Sequence, residues 1–207
     1  MENVINSLFP APVYQAHRDF ILDSTEEKEI ADIIKEGLRK DGVLDHHTVD
    51  TYLFDTKLKN LKEFCEQHIK NYVKEITVPK NEELDFYITQ SWLNVVKPGG
   101  SIRQHNHENS IISGAYYVST VEDDRIVFND PKSFMDLIRI EPKEFNIWNS
   151  PTWFIPVNNN LLLLFPSWLS HTVEQNEKAT TDRISISFNT FVKGTIGKKY
   201  DLNVLNL

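Results

Sequence analysis

The chain has 207 residues and a formal charge of −8, with 22 basic against 30 acidic residues, which argues against a nucleic-acid partner because such proteins present a clustered basic face. Its longest strongly apolar run, Leu161–Phe165, is far too short to span a bilayer, so no membrane partner is expected. One cysteine, Cys65, and an N-terminus without a signal-peptide pattern predict a cytoplasmic protein, and the length favours a single domain over residues 1–207.

Residues 1–80 are predicted to form a helical support region. Ser24-Thr25-Glu26-Glu27 has the form of a capping box, and apolar residues then recur at helical spacing as far as Leu38. A second helix is predicted from about Asp55 to Ile76, before Pro79. The segment between the helices, which includes residues 46–50, has no clear period and is predicted to be a loop.

From Phe86 onward the apolar pattern shortens to strand length. The predicted strands are Phe86–Val96, Ser101–His107, Ile111–Ser119, Arg125–Phe128, Glu144–Trp148, Leu161–Phe165 and Arg183–Val192. Many short strands separated by turn residues predict an all-β sandwich or barrel over residues 86–192, with the helices packed outside it.

Three histidines form a candidate metal site. Successive side chains of a strand point to opposite faces, so His105 and His107 are expected to point the same way, and His171 follows a separate strand. Imidazole is a good ligand for Fe(II), Ni(II), Cu(II) and Zn(II), so the ligand type alone does not select the metal. The remaining histidines have no partner at a useful spacing and are expected to have surface or core roles: His17, His46, His47 and His68.

Arg183 and Ser185 are also expected to share one strand face. A guanidinium can hold a carboxylate by a planar two-point contact, and the Ser185 hydroxyl adds another donor. A buried cation that faces a metal requires an anion, so the pair indicates a carboxylate-bearing co-substrate.

Several stretches of residues 86–192 resemble the double-stranded β-helix core of the 2-oxoglutarate- and Fe(II)-dependent oxygenases, in particular a bacterial and phage branch related to prolyl 4-hydroxylases. The stretches are Trp92-Leu-Asn94, His105-Asn-His-Glu-Asn-Ser110, Ser113-Gly-Ala-Tyr-Tyr-Val118, Phe128-Asn-Asp-Pro131, Phe165-Pro-Ser-Trp-Leu-Ser-His171 and Arg183-Ile-Ser-Ile-Ser-Phe-Asn189. The resemblance implies a mainly β fold, a jelly-roll or cupin-like core with flanking N-terminal α-helices.

The resemblance also implies roles for individual residues. His105 and His171 match the two metal histidines, and Arg183 with Ser185 matches the pair that grips the far carboxylate of 2-oxoglutarate. Tyr117 matches a tyrosine that hydrogen-bonds the same carboxylate. Asn94 is also expected to bind the co-substrate. The implied reaction uses Fe(II) and O2, converts 2-oxoglutarate to succinate and carbon dioxide, and hydroxylates a small molecule or a peptide residue such as proline.

One position departs from the family pattern. The family carries His-x-Asp or His-x-Glu, whereas His107 stands in the place of the carboxylate. His107 is either a third ligand, a residue beside a water-filled ligand position, or the first ligand of a shifted register in which Asn109 takes the acidic slot. The first interpretation is favoured because an asparagine is a poor metal ligand, while Glu108 and Asp130 are weaker candidates for a lost carboxylate.

Two other classes of protein compete with this interpretation. Gly99 followed by the His105-x-His107 pair matches the first half of a cupin metal motif, which would make the chain a three-histidine dioxygenase that does not use 2-oxoglutarate. The glutamate that this motif requires shortly after His107 is absent, and Arg183 has no role in it. A catalytically silent β-barrel binding protein is the third possibility, and it would leave the three histidines and Arg183 as coincidences.

Overall fold

The structure is a computed structural model, and it describes residues 3–19, 22–132 and 140–207. Its helices are α1 (Ser24–Glu36), α2 (Leu53–Thr56) and α3 (Lys59–Tyr72), followed by a π-helical turn, Val73–Thr77, and near the C-terminus a 3-10 turn, Lys199–Asp201. Its strands are β1 (Tyr14–His17), β2 (Leu38–Lys40), β3 (Asp45–Thr48), β4 (Asp85–Val96), β5 (Ile102–His105), β6 (Ile112–Ser119), β7 (Arg125–Asn129), β8 (Thr152–Pro156), β9 (Leu161–Pro166), β10 (His171–Val173), β11 (Arg183–Lys193), β12 (Thr195–Ile196) and β13 (Leu205–Asn206).

Two antiparallel sheets form the core of the protein. The larger sheet has the strand order β1-β9-β6-β11-β4-β3-β2, and the smaller sheet has the order β5-β10-β7-β8. From β4 onward the chain passes repeatedly from one sheet to the other, as it does between β4 and β5 and between β9 and β10. This arrangement, with helices on one side, confirms the predicted double-stranded β-helix, or jelly roll, with flanking N-terminal helices.

Strand β9 shows why the sequence forms this sandwich. All six of its residues are buried. Leu162 and Leu164 pack against the helices in one apolar cluster, whereas Leu161, Leu163 and Phe165 pack into a second cluster between the sheets. A strand that is covered on both faces reads as a continuous apolar run, because neither face meets water.

The helices cover the outer face of the larger sheet. Ile33 of α1 and the α3 residues Leu61, Cys65 and Ile69 are fully buried in the same cluster as the outer face of β9. The cap of α1 is Asp23, one residue before the predicted Ser24. Its carboxylate accepts from the backbone N–H groups of residues 25 and 26, and the Glu26 side chain accepts in return from the Asp23 N–H.

The predicted second helix is divided in the structure. Between α2 and α3, Leu58 adopts the left-handed conformation with φ 56°, and its backbone N–H donates to the Glu29 carboxylate of α1 at 2.7 Å. The first third of the chain also contributes three strands to the larger sheet. The prediction of a loop over residues 46–50 is therefore wrong for the part that forms β3, which pairs with β4.

The predicted strand Glu144–Trp148 is also wrong. This segment contains turns, in which the Asn146 side chain accepts from the Trp148 N–H and the Asn149 side chain accepts from the Asn146 N–H. Asparagine side chains that bond nearby backbone groups favour turns over strands. The strand begins later, at β8, and pairs with β7 at the edge of the smaller sheet.

Among the described residues, no helix has the length and apolar character needed to cross a membrane.

Candidate functional site

A cavity of about 1100 Å³ lies between the two sheets. Its wall combines side chains from both sheets and from the hairpin that joins β2 to β3. Every site residue predicted from the sequence lines it: Asn94, His105, His107, Tyr117, His171, Arg183 and Ser185.

The three histidines meet at one point of the cavity. His105 ends β5 and lies opposite His171 of β10, with their ring centroids 4.4 Å apart. The strand ends at His105, so the expectation that His107 continues it is wrong. His107 lies in the following loop, where its backbone N–H donates to the Ser167 carbonyl at 3.0 Å. One side-chain nitrogen from each of the three residues nevertheless lies within 4.8 Å of those from the other two.

Each of the three rings uses the same nitrogen to bond the protein. The Nδ1 of His105 bonds the Arg103 carbonyl at 2.8 Å, and that of His171 bonds the Leu169 carbonyl at 3.0 Å. The Nδ1 of His107 bonds the Asn189 side-chain oxygen at 2.7 Å. These oxygens can only accept, so each Nδ1 carries the ring proton and each Nε2 is left as a lone-pair donor.

Burial keeps two of these rings neutral. Burial, together with charge repulsion from the neighbouring His105, lowers the pKa of His107 to about 4 and that of His171 to about 3. Neutral imidazole is the form that binds a metal ion, so this pair is ready for a ligand role at neutral pH. Three imidazole nitrogens suit Fe(II), Ni(II), Cu(II) or Zn(II), and the donor set fits such an ion.

No carboxylate joins this cluster among the described residues. Glu108 and Asn109 are exposed, and neither they nor Asp130 line the cavity. A shifted register with Asn109 in the acidic position therefore has no support from the arrangement of the side chains.

Arg183 of the cavity wall belongs to a buried ion pair. The Nε of Arg183 donates to both carboxylate oxygens of Asp124, at 3.0 and 2.9 Å, and both side chains are almost completely buried. No acceptor for the terminal Nη groups of Arg183 is found among the described residues, so these donors are available to the cavity. The Arg183 guanidinium lies 5.0 Å from the centre of the Tyr117 ring.

Tyr117 contributes a polar atom without a partner. Its hydroxyl is buried and makes no hydrogen bond within the described residues, and burial raises its pKa to about 12. A neutral hydroxyl beside free guanidinium donors is a site for an anion, because both can donate to it. Ser185, which is also buried, lies on the same strand face as Arg183.

Asn94 is held between two neighbours. Its side-chain oxygen accepts from the Trp92 indole at 3.1 Å, and its side-chain nitrogen donates to the Ser187 hydroxyl at 2.9 Å. Asn94 pairs with Ser185 across β4 and β11. The two residues thus form one row of the cavity wall.

Sequence reasoning missed three residues of the site. Asp124 precedes β7 in a turn, and nothing in its spacing indicates a bond to Arg183, 59 positions away. Asn189 could have been found, since it continues the alternation of Arg183 and Ser185 on the same face. His47, set aside as unpartnered, lines the cavity from β3, and its Nδ1 bonds the neighbouring Thr48 carbonyl.

Residues 90–189 match the model of a protein family described as "Putative 2OG-Fe(II) oxygenase". That range contains every residue of the candidate site described above except His47. This core, just under half of the chain, is therefore similar in sequence to the 2-oxoglutarate- and Fe(II)-dependent oxygenases. No curated protein matches the chain by sequence.

Solved structures share the fold at low sequence identity. A prolyl-4-hydroxylase from Pseudomonas putida is 13% identical, with a TM-score of 0.55 and coverage of 86% of this chain and 92% of that one. A prolyl hydroxylase from Trichoplax adhaerens, in complex with a peptide fragment of hypoxia inducible factor, is 12% identical, with a TM-score of 0.58 and coverage of 86% and 83%. HygX from Streptomyces hygroscopicus, with nickel, 2-oxoglutarate and hygromycin B bound, is 9% identical, with a TM-score of 0.55 and coverage of 87% and 82%.

Proposed function

We propose that this protein is an Fe(II)- and 2-oxoglutarate-dependent dioxygenase whose metal ligands are His105, His107 and His171. The observation that carries the proposal is the shared orientation of the three imidazoles. Each has its Nδ1 bonded to a carbonyl oxygen, which leaves three Nε2 lone pairs for one ion. Iron bound there would supply the oxidative chemistry that uses O2 and 2-oxoglutarate.

Arg183 is the proposed anchor for the far carboxylate of 2-oxoglutarate. Because Asp124 occupies only its Nε, the Nη groups remain to grip a carboxylate from the side that faces the cavity. The partnerless hydroxyl of Tyr117 and the buried hydroxyl of Ser185 complete the polar pocket. Asn94, in the row beside Ser185, borders the co-substrate.

The replacement of a carboxylate by His107 changes the charge of the site. Three neutral imidazoles would leave a bound divalent ion with its full charge. The two negative charges of 2-oxoglutarate would then be divided between this ion and Arg183, which is already paired with Asp124. A site with one carboxylate ligand would carry one more negative charge. We expect this chain to bind anions at the metal more readily for that reason.

The proposed reaction is hydroxylation of a C–H bond in a small molecule or a peptide residue such as proline. The cavity, at about 1100 Å³, has space for a second molecule beside the co-substrate. Two of the similar structures are prolyl hydroxylases, one of them with a bound peptide, and a third holds hygromycin B. These likenesses support both substrate classes.

The competing classes have less support. A cupin-type dioxygenase without 2-oxoglutarate gives no role to the free donors of Arg183 or to the hydroxyl of Tyr117. A catalytically silent barrel gives no reason for three rings to be held with their Nε2 atoms together. We therefore retain the oxygenase assignment.

The test is an anaerobic titration with Fe(II) and then with 2-oxoglutarate. Binding is monitored through the weak visible absorption band of the chelate. Air is then admitted, succinate is measured, and candidate substrates are examined by mass spectrometry for the gain of one oxygen atom. Absence of both the band and succinate would overturn the proposal.

A variant pair locates the anchor. The double substitution Arg183→Met with Asp124→Leu removes both buried charges together, which avoids leaving one of them unpaired. It should retain Fe(II) and lose 2-oxoglutarate binding. Arg125→Met is the matched control, since Arg125 pairs with Glu174 at the surface, away from the cavity lining. Unchanged 2-oxoglutarate affinity in the double variant would show that the anchor is wrongly assigned.

A further inference from the structure

His107 differs from the other two histidines in the origin of its hydrogen-bond acceptor. His105 and His171 each bond the main-chain carbonyl two residues earlier, an acceptor that any sequence provides. His107 bonds the side chain of Asn189, which lies 82 positions away on another strand. The orientation of the His107 ring therefore depends on the identity of one distant residue.

Strand alternation directs Asn189 at the ring, because it lies on the same face of β11 as Arg183 and Ser185. The register shift between Asn189 and Thr190 arises on the opposite strand, where Thr89 of β4 is the residue without a partner in β11. The Asn189 side chain lines the cavity, whereas Thr190 is fully buried and donates to the Ile112 carbonyl.

A hydroxyl network supports the same oxygen. Ser113 donates to the Asn189 side-chain oxygen at 3.4 Å and also bonds Ser167 at 2.8 Å. Ser167 in turn bonds Ser110 at 2.7 Å. Its main-chain carbonyl accepts from the His107 N–H, so the loop that carries the histidine and the residue that orients it share one network.

Two neighbouring rings are stacked with the His107 ring. The Trp92 ring lies at 5.8 Å between centroids and 26° between planes, and the His171 ring lies at 5.2 Å and 10°. A rotation of 180° about the Cβ–Cγ bond would return the ring to the same plane. It would place Cδ2 where Nδ1 lies and Cε1 where Nε2 lies, so the bond to Asn189 opposes it.

We propose that Asn189 is a positioning residue that holds His107 in its Nδ1–H form, with Nε2 directed at the other two histidines, and so makes His107 the third metal ligand in place of a carboxylate. The inference rests on the metal site of the proposed function and extends it to a residue outside the ligand set. The amide oxygen carries no charge, so the orienting bond leaves the ligand set neutral. No hydrogen bond from the Asn189 side-chain nitrogen is found among the described residues. The side-chain oxygen is therefore the atom through which Asn189 orients the His107 ring.

Three variants separate this role from simple packing. Asn189→Leu removes the acceptor at similar size, whereas Asn189→Asp keeps the acceptor oxygen. Ser187→Ala is the control, because Ser187 lines the same cavity on the same strand face and bonds Asn94 rather than His107.

The first measurement is Co(II) affinity. Binding is monitored through the visible absorption of the bound ion, without any co-substrate. Loss of an outer hydrogen bond to a metal histidine weakens affinity by about 10-fold to 100-fold, which we expect for Asn189→Leu. Asn189→Asp should bind at least as tightly as the unmodified protein, and Ser187→Ala should be unchanged. Equal Co(II) affinity in Asn189→Leu and the unmodified protein would overturn the inference.

The second measurement needs no metal. Long-range proton–nitrogen NMR spectra of the metal-free protein report which ring nitrogen of each histidine is protonated. His107 should be in the Nδ1–H form in the unmodified protein and in Asn189→Asp, and should lose it in Asn189→Leu. An unchanged tautomer in Asn189→Leu counts against Asn189, whereas failure of the unmodified protein to bind Co(II) or Fe(II) counts against the metal site itself.

Discussion

Substitution of Asp124 by asparagine tests the buried ion pair behind the proposed anchor. Arg183 and Asp124 retain only 6% and 4% of their side-chain exposure, so the variant leaves a guanidinium without its counter-charge and away from water. Removal of one partner of such a pair costs about 3–5 kcal/mol. With a denaturant slope of about 2 kcal/mol per molar urea, the unfolding midpoint should fall by about 1.5–2.5 M.

The assay is urea unfolding followed by the fluorescence of the four tryptophans. Glu174→Gln is the control, because its pair with Arg125 is about half exposed and should contribute under about 1 kcal/mol. A midpoint fall in Asp124→Asn no larger than that of the control would refute the reasoning.

The same variant tests whether the site takes an anion. 2-Oxoglutarate could supply the charge that Asp124 no longer provides, so its addition should raise the midpoint of Asp124→Asn more than that of the unmodified protein. An equal rise in both proteins would show that the co-substrate does not reach Arg183. The double variant without either charge should recover most of the lost stability, which separates charge imbalance from loss of packing.

Three further outcomes follow from single buried groups. Tyr117→Phe should raise the free energy of unfolding by about 1 kcal/mol, because it removes a buried hydroxyl without a partner, and should weaken 2-oxoglutarate binding in the same titration. The unfolded chain ionises this tyrosine near pH 10 and the folded chain near pH 12, so stability is lost as pH rises through that window, and the phenylalanine variant should lose less of it in urea melts. Gly114→Ala should cost about 1–3 kcal/mol, since an added methyl would overlap the Phe188 ring, whereas Gly42→Ala has room for its methyl and should change the midpoint little. The thiol of Cys65 is fully buried and burial raises its pKa, so a thiol reagent should label it only in urea; rapid labelling of the native protein would contradict this packing.

The sequence predicts best where one physical signal decides the outcome. β4, β9 and β11 are apolar or alternating runs bounded by turns, and their predicted limits differ from the structure by one residue at most. β3 was missed because its residues, Asp45–Thr48, are polar and become a strand only by pairing with β4. The segment 144–148 carries the apolar residues of a strand, but the bonds of its asparagine side chains to nearby backbone keep it in turns.

Tertiary contacts limit the prediction of the site in the same way. The three histidines and Arg183 could be located because short spacing and family resemblance both indicate them. Asp124 could not be located, because its partner lies on a strand that the chain reaches 59 residues later. The expected reason for an anion at Arg183 also changed, since Asp124 already balances the charge and the free Nη donors now provide the argument.

The alternation along β11 places a restriction on how this protein can be re-engineered. Arg183, Ser185, Ser187 and Asn189 all line the cavity, and each is two residues from the next. Insertion or deletion of one residue within this stretch would turn one end of the series to the opposite face of the sheet. Redesign of the cavity must therefore keep the number of residues in this part of the strand fixed and place any change of length in the loops outside it.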